Sequence, residues 1–357
     1  MHVRKIQIEP AWRFRDDEGN ELDSKLFELL AAVHQGGKLT QAAKTVGLSY
    51  RHSWNLLNKW AEFFGCELVA MHKGRGASLT PLGEKLLWAR ERVSARFEPQ
   101  LESLASELNL EIQQATADVR PVLRLHAAHG FAVATLPEHA GDLRLDIQYR
   151  SGEEALAALA RGACDVAGFH VPTTDISATQ RQTYSRLLKP RAYRVIRFIR
   201  RQQGLIVQPQ KLAVVTDLQA LAGGELRFIN RQQGAATRAL FDELLRRAEL
   251  SPLQIQGYEN EEFTHSAVAA YVASGMADVG FGVEHAANQF GMGFVPLASE
   301  DYFMVCHNSR LQTNACQRFL AVLRGEAYRS AVEKLGGYTA DGCGELVTVE
   351  EAMPWLA

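Results

Sequence analysis

The chain has 357 residues, 46% of them hydrophobic and 22% charged, the proportions of a globular protein with packed cores rather than of a disordered or fibrous one. Its formal net charge of −2 does not point to a polyanion partner, although a whole-chain sum can hide a local basic patch. Five widely spaced cysteines, none in a CxxC pair, argue against a disulfide framework or a zinc site. With no apolar run of membrane-spanning length and no apolar secretion core after Met1, they predict a cytoplasmic protein with no membrane partner.

Residues Val3 to Phe14 alternate loosely and meet a turn at Asp16–Asn20, which predicts a short strand or hairpin. Asp23 is expected to cap a helix whose apolar positions Leu26, Phe27, Leu30, Ala31 and Val33 follow helical spacing, ended by Gly36-Gly37. Thr40 is expected to cap a second helix. Ser49 caps a third, with Trp54, Leu57, Trp60, Ala61 and Phe64 as its buried stripe and Gly65 at its end. Two helices at this separation form a helix-turn-helix, whose second helix can lie in a DNA major groove. Glu67–Thr80 reads as two short strands around Lys73-Gly-Arg-Gly76, the wing of a winged helix. Six Lys or Arg against two acids between Gly36 and Thr80 supply the local positive patch.

From Pro81 a long helix carries an apolar seam, Leu82, Leu86, Ala89, Val93, Phe97, Leu101, Leu104 and Leu108, interrupted by Pro99, which is expected to kink or split it. Such a seam suits dimerisation; the alternative is that it packs back on its own domain. Beyond residue 120, strands (Val122–His126, Leu143–Tyr149, Cys164–Phe169, Gly204–Val207, Leu226–Ile229, Asp278–Phe281) alternate with helices (Glu153–Arg161, Ala235–Ala248, Thr264–Ser274). That alternation predicts an α/β domain with mainly parallel sheet and two lobes. No internal repeat is evident. The expected division is a winged helix-turn-helix DNA-binding domain at 1–79, a linker and dimerisation helix at 80–118, and a two-lobed ligand-binding domain at 119–357.

For DNA, the start of the third helix offers Ser49, Tyr50, Arg51, His52 and Asn55 to base edges and phosphates; Arg can read guanine and Asn adenine. Lys38, Thr40, Gln41 and Lys44 would sit over the strand backbone, and Lys73 and Arg75 would reach an adjacent phosphate or the minor groove. The competing reading is a winged helix that binds protein, its charges merely solvated.

For a ligand, three helix starts stand out: Ala128-His129-Gly130, Gly234-Ala235-Ala236-Thr237-Arg238 and Thr264-His265-Ser266. Helix N-termini present unpaired N–H groups and a positive dipole end, so converging starts make an anion site without metal or cofactor. Thr237, Thr264 and Ser266 add hydroxyls; Arg231, Arg238 and His265 add charge. Ordinary helix capping would favour Ser and Thr at such positions too. No GxSxG, HExxH, Walker A or strand-linked GxGxxG sequence is present, so no enzymatic activity is expected.

The residues Leu39-Thr-Gln-Ala-Ala-Lys, Gly47-Leu-Ser-Tyr-Arg, Ser53-Trp-Asn and Leu79-Thr-Pro-Leu-Gly-Glu-Lys-Leu resemble the DNA-binding head of ModE-type, molybdate-responsive regulators, themselves close to LysR-type heads. From about Pro121, the blocks Asp165–His170, Arg201–Val207, Phe228–Gly234, Thr237-Arg238, Gly257-Tyr258, Glu261–Ala269 and Ala273–Asp278 resemble the periplasmic-binding-protein-like domain of the molybdate-binding type. The resemblance implies an α+β winged helix-turn-helix head, a long linker helix and a two-lobed α/β domain. It further implies a homodimer or homotetramer on a double-stranded DNA operator, controlled by a small anion in the cleft, with His170 among the candidate ligand-binding residues. Where members usually carry Gly-Ser-Gly-Thr-Arg, this chain has Gly234-Ala235-Ala236-Thr237-Arg238, and Ala128-His129-Gly130 replaces Ser-His-Asp. Fewer hydroxyls leave two ligand classes open: a molybdate- or tungstate-type oxyanion, or a small carboxylate such as formate. A third reading keeps DNA binding but leaves the second domain only an assembly role.

Overall fold

The computed structural model describes residues 6–15, 17–19, 21–72, 76–115, 121–173, 176 and 178–356. Its contacts divide the chain into two units, one of residues 9–95 and one formed mainly by residues 96–357.

In the first unit, β1 (Phe14–Arg15) pairs antiparallel with β2 (Glu21–Leu22) and is followed by α1 (Lys25–Gly36), α2 (Leu39–Thr45) and α3 (Tyr50–Phe64). A hairpin of β3 (Val69–His72) and β4 (Gly76–Leu79) then leads into α4 (Pro81–Ala115). The apolar stripes of the three short helices converge on Leu26, Leu30, Val33, Ala42, Leu57 and Trp60. Trp60 is fully buried; its ring lies edge-on 4.9 Å from Phe14, and its indole N–H donates to the Asp23 carbonyl at 3.2 Å. Gly37 and Gly65 take left-handed conformations just past α1 and α3, as the sequence predicts. Ser49 Oγ accepts the His52 N–H at 3.1 Å as the α3 cap.

Thr40 is not a cap. Leu39 is buried and already helical, so α2 begins one residue earlier, with Lys38 in the cap position and Thr40 exposed in the first turn. The hairpin is fixed to the end of α1 by glycine geometry. Gly76 has φ +98°, a Cβ there would lie 2.1 Å from the Gly37 oxygen, and that oxygen accepts the Ala77 N–H at 2.7 Å.

The long helix α4 runs unbroken through Pro99, so the expected split does not occur; the loss of one N–H is absorbed within a 35-residue helix. Its seam divides. Leu82 and Leu86 pack against the core of the first unit, while Phe97, Leu104 and Leu108 in the second unit remain exposed.

The second unit adds β5 (Val122–Ala127), α5 (Phe131–Ala134), α6 (Leu136–His139), β6 (Arg144–Tyr149), α7 (Gly152–Ala160), β7 (Val166–Pro172), α8 (Ala178–Leu187) and β8 (Tyr193–Val207). There follow β9 (Phe228–Arg231), α9 (Ala236–Arg247), β10 (Glu261–Glu262), α10 (His265–Ala273), β11 (Val279–Val283), α11 (Glu284–Gln289) and β12 (Gly293–His307). The chain closes with α12 (Asn314–Arg324), α13 (Glu326–Glu333), β13 (Tyr338–Thr339), β14 (Leu346–Val347) and α14 (Val349–Ala352). The main strand order is β10-β9-β11-β8-β12-β7-β5-β6, with β13 and β14 pairing on β8.

Two lobes of the same topology flank the centre of this sheet. In one, β5 lies parallel between β6 and β7; in the other, β9 lies parallel between β10 and β11. The 15-residue strands β8 and β12 run antiparallel through both and form the crossing segments. The lobes also share a clamp. Arg124 grips Asp165 through its backbone N–H and guanidinium, at 3.0 Å from the N–H, and Arg227 grips Asp278 in the same way at 2.9 Å. This structural repeat escaped sequence comparison because it survives in an Arg–Asp pair and a strand order, not in a run of identical residues.

Candidate DNA-binding face and ligand cleft

On the first unit, Lys38, Thr40, Gln41 and Lys44 of α2 and Ser49, Tyr50, Arg51, His52 and Asn55 around the start of α3 are all exposed. They share this exposure because Ser53, Leu56, Leu57 and Trp60 turn the other side of α3 into the core. The first turn of α3 holds no acid, which keeps its positive dipole end available to phosphate. Tyr50 is braced edge-on against Trp54 at 6.3 Å. Lys73 and Arg75, the expected wing contacts, lie outside the described residues.

In the second unit a buried polar cluster gathers where the lobes meet the crossing strands. Arg201 on β8 and Glu300 on β12 are register partners, both almost fully buried, and Arg201 Nε donates to Glu300 Oε1 at 2.5 Å. The Gln203 amide donates to the same oxygen at 2.6 Å and to Thr237 Oγ1 at 3.3 Å. Burial works against the Arg201 charge, but Glu300 and Tyr338 hold its pKa above the ordinary arginine value. Arg231, at the end of β9, is also buried, and its guanidinium donates to the Phe263 carbonyl at 2.9 Å. Its Nε donates to the Gln232 side-chain oxygen at 3.2 Å, and Glu300, already hydrogen-bonded to Arg201 and Gln203, is the carboxylate whose charge favours the Arg231 cation. Burial first, then the Arg201 charge, lowers its pKa to about 9, which still leaves it a cation at neutral pH.

Three histidines face these arginines. His129 meets Tyr149 edge-on at 4.8 Å; burial, then Arg231 and Arg201, push it down to about 3. His170 lies 3.9 Å from the Tyr302 ring, with Nε2 4.0 Å from Glu300 Oε1, and His265 opens α10. Burial followed by the arginine charges takes both far below the ordinary histidine value, so all three are neutral. His170 Nε2 and His265 Nδ1 are buried with no hydrogen-bond partner in the described structure. These two ring nitrogens, buried and uncommitted beside a buried cation, depart from the usual pairing of buried polar groups.

The remaining sequence-predicted residues take varied places. The Ala128 carbonyl accepts the Tyr302 hydroxyl at 3.0 Å, and Gly130 starts α5 so close to Arg201 that a Cβ would lie 3.4 Å from its Nη1. Ala235 holds the α9 cap position without a side-chain bond, Gly234 sits at φ +82° and is exposed, and Ala236 is exposed. Thr264 Oγ1 caps α10 by accepting the Ala267 N–H at 3.0 Å, and the Ser266 hydroxyl points to Gln289 at 3.5 Å. Arg238 is committed elsewhere: Nη1 donates to the Arg231 carbonyl at 3.1 Å, Nε faces Asp242 at 3.3 Å, and the guanidinium lies over Tyr258.

The structure therefore joins His129, Gly130, His170, Arg231, Thr237 and His265 with four residues that sequence reasoning did not select: Arg201, Gln203, Glu300 and Tyr302. Arg201 and Gln203 carried a faint signal, being two polar residues one strand repeat apart before an apolar run. Glu300 carried none, since its role arises only from register with Arg201. Among the described residues no His, Cys, Asp and Glu group is arranged to hold a metal ion, and no helix is long and apolar enough to cross a membrane.

An exposed helix-turn-helix face and a two-lobed domain with a buried charged cluster between its lobes fit a DNA-binding regulator with a ligand-binding domain. Residues 133–324, over half of the chain, match the PBP superfamily domain, and the chain belongs to that superfamily. Residues 24–84 match the bacterial regulatory helix-turn-helix protein, lysR family, so the head is a LysR-type DNA-binding domain. The Bacillus subtilis (strain 168) protein YvgK is 26% identical over 246 residues, 68% of this chain and 79% of that one. The molybdenum-pterin-binding protein MopB of Rhodobacter capsulatus is 30% identical over 139 residues, 38% of this chain and 51% of its own. Among solved structures, Vibrio fischeri DarR in complex with DNA covers 84% of this chain and 97% of its own at 15% identity, with a TM-score of 0.41.

Proposed function

We propose that the protein is a cytoplasmic transcriptional regulator whose binding to a double-stranded DNA operator is set by a small anion in the cleft. The observation that carries this reading is Arg231, a buried guanidinium whose hydrogen bonds go to a carbonyl and a side-chain amide, set among three neutral histidines of which two keep an unpartnered ring nitrogen. Anion binding would favour one arrangement of the lobes, and the DNA response follows from that population shift. The exposed Phe97, Leu104 and Leu108 on one side of α4 would be covered by a second copy, giving a homodimer or homotetramer.

Two ligand classes fit. The name of MopB favours a molybdate- or tungstate-type oxyanion; Ala235 and Ala236, which bring no hydroxyl to the start of α9, favour a small carboxylate such as formate. A thermal-shift panel of molybdate, tungstate, sulfate, phosphate, nitrate and formate separates them. The true effector at a hundredfold excess over its Kd adds about 2.7 kcal/mol. Arg231→Gln is expected to abolish that shift while leaving the unliganded melting temperature within a few degrees. Silence from all six anions in the wild type would overturn the anion reading in favour of a purely assembling domain.

For the head, Arg51→Ala is expected to weaken specific DNA binding by about 1–3 kcal/mol and to relax preference at one base pair. A gel-shift titration on selected DNA checks this, and unchanged affinity and preference would remove Arg51 from base reading.

A further inference from the structure

We infer that Arg96 of α4 and Phe263, between β10 and α10, form the contact through which the state of the buried charged cluster is conveyed to the linker helix. Phe263 lies between β10 and α10, next to the α10 cap Thr264. Its carbonyl is held by the Arg231 guanidinium at 2.9 Å, and its ring lies 4.4 Å beneath the Arg96 guanidinium. One residue thus touches the principal cleft cation through its backbone and the linker helix through its side chain.

The other lobe holds the same helix differently. Ser103 Oγ accepts the Tyr149 N–H at 3.1 Å, and Ser106 Oγ accepts the Ile147 N–H at 2.9 Å while its hydroxyl donates to Asp146 at 3.0 Å. The Gln148 amide donates to the Ser103 carbonyl at 3.3 Å. These bonds satisfy outward N–H groups of β6, the edge strand, and stitch α4 to that lobe. Pro99 sits between Arg96 and Ser103 and donates no backbone hydrogen bond, while its carbonyl accepts the Ser103 hydroxyl at 2.9 Å, so the helix lacks one backbone bond between its two attachments. A shift of Arg231 on ligand binding moves the Phe263 backbone, Arg96 follows the ring, and the displacement is taken up at Pro99. The ligand's part in this rests on the anion reading of the cleft; the relay itself does not.

The test is a double-mutant cycle in the full chain, read as amide hydrogen exchange over residues 96–103, with exchange in β8 as the folding control. Arg231→Gln is expected to change exchange around Pro99 by about fivefold or more, the low end of ordinary allosteric coupling. In an Arg96→Ala background the same substitution is expected to change it less than about twofold, with Arg96→Lys restoring the response because lysine keeps a cation over the ring. Additive effects, or no response to Arg231→Gln, overturn the inference. The six anions of the thermal-shift panel are added in a separate arm. Silence from all six with a non-additive cycle defeats the anion reading and leaves the relay standing, whereas a binding anion with an additive cycle does the reverse.

Discussion

Replacing Glu300 by alanine is expected to destabilise the second unit by about 3–5 kcal/mol, because removing one partner of a buried ion pair strands the other. Glu300 Oε1 accepts both the Arg201 guanidinium at 2.5 Å and the Gln203 amide at 2.6 Å, and Arg201 is 2% exposed, so water does not replace the lost carboxylate without local opening. The lesion should be specific: unfolding of the helix-turn-helix unit, followed by Trp60 fluorescence, is expected to stay unchanged. It should also be repairable. Formate in excess is expected to return part of the lost stability by presenting a carboxylate to Arg201, where an anion excluded by size is not. Urea unfolding of the wild type and the variant, with and without formate, measures both effects. A change below about 1 kcal/mol would mean that Arg201 is hydrated and the pair is not structurally buried.

Acidification is expected to act on the same cluster with comparable force. His129, His170 and His265 are neutral in the fold, the first with its pKa pushed down to about 3, whereas in the unfolded chain each titrates near 6.5. A depressed pKa means that the unfolded state binds more protons below pH 6.5. The stabilising contribution is therefore complete above that pH and is lost as pH falls toward the folded values. Three such groups give a slope approaching about 4 kcal/mol per pH unit below pH 6. His126 and His285, lowered mainly by burial, add to the trend. The carboxylates with depressed pKa values, among them Asp165, Asp278 and Glu243, act in the same direction but only below about pH 5, so they do not account for losses between pH 6.5 and 5. The facing charges are Arg201, Arg231 and Glu300, with Glu262 buried on β10. An anion bound to the arginines would raise the histidine pKa values, so anion affinity should strengthen as pH falls. Urea unfolding at pH 8, 7, 6 and 5.5 gives the slope, and His265→Asn is expected to remove about a third of it. A flat profile to pH 5.5 would show that the histidines are not held neutral.

Local rules made the head legible. Ser49 and the glycines after α1 and α3 act as the sequence requires, because capping and left-handed turns depend on near neighbours. Thr40 misled because a buried Leu39 extends the helix backwards, which only the tertiary core dictates. In the second unit, strands flanked by turns were visible, and so were the helix starts that contribute His129, Thr237 and His265. The long crossing strands were not. Apart from Gly204–Val207, β8 carries charged and polar residues on both faces, and β12 contains a proline and a Ser-Glu-Asp run, so neither shows clean alternation. Those strands supply Arg201, Gln203 and Glu300, and the centre of the cleft was hidden with them. Arg238 illustrates the converse error, since a charged residue next to Thr237 in sequence is directed by Asp242, Tyr258 and the Arg231 carbonyl into a structural role.

Occupancy of the buried cluster by the effector is expected to set DNA affinity. The most direct measurement is the affinity of the full chain for DNA selected from random sequence, with and without a saturating concentration of whichever anion raises the melting temperature. A change of about fivefold or more is expected, within the usual range of coupling between sites, together with its loss in Thr237→Val. Equal affinity with the cleft empty and saturated would contradict it.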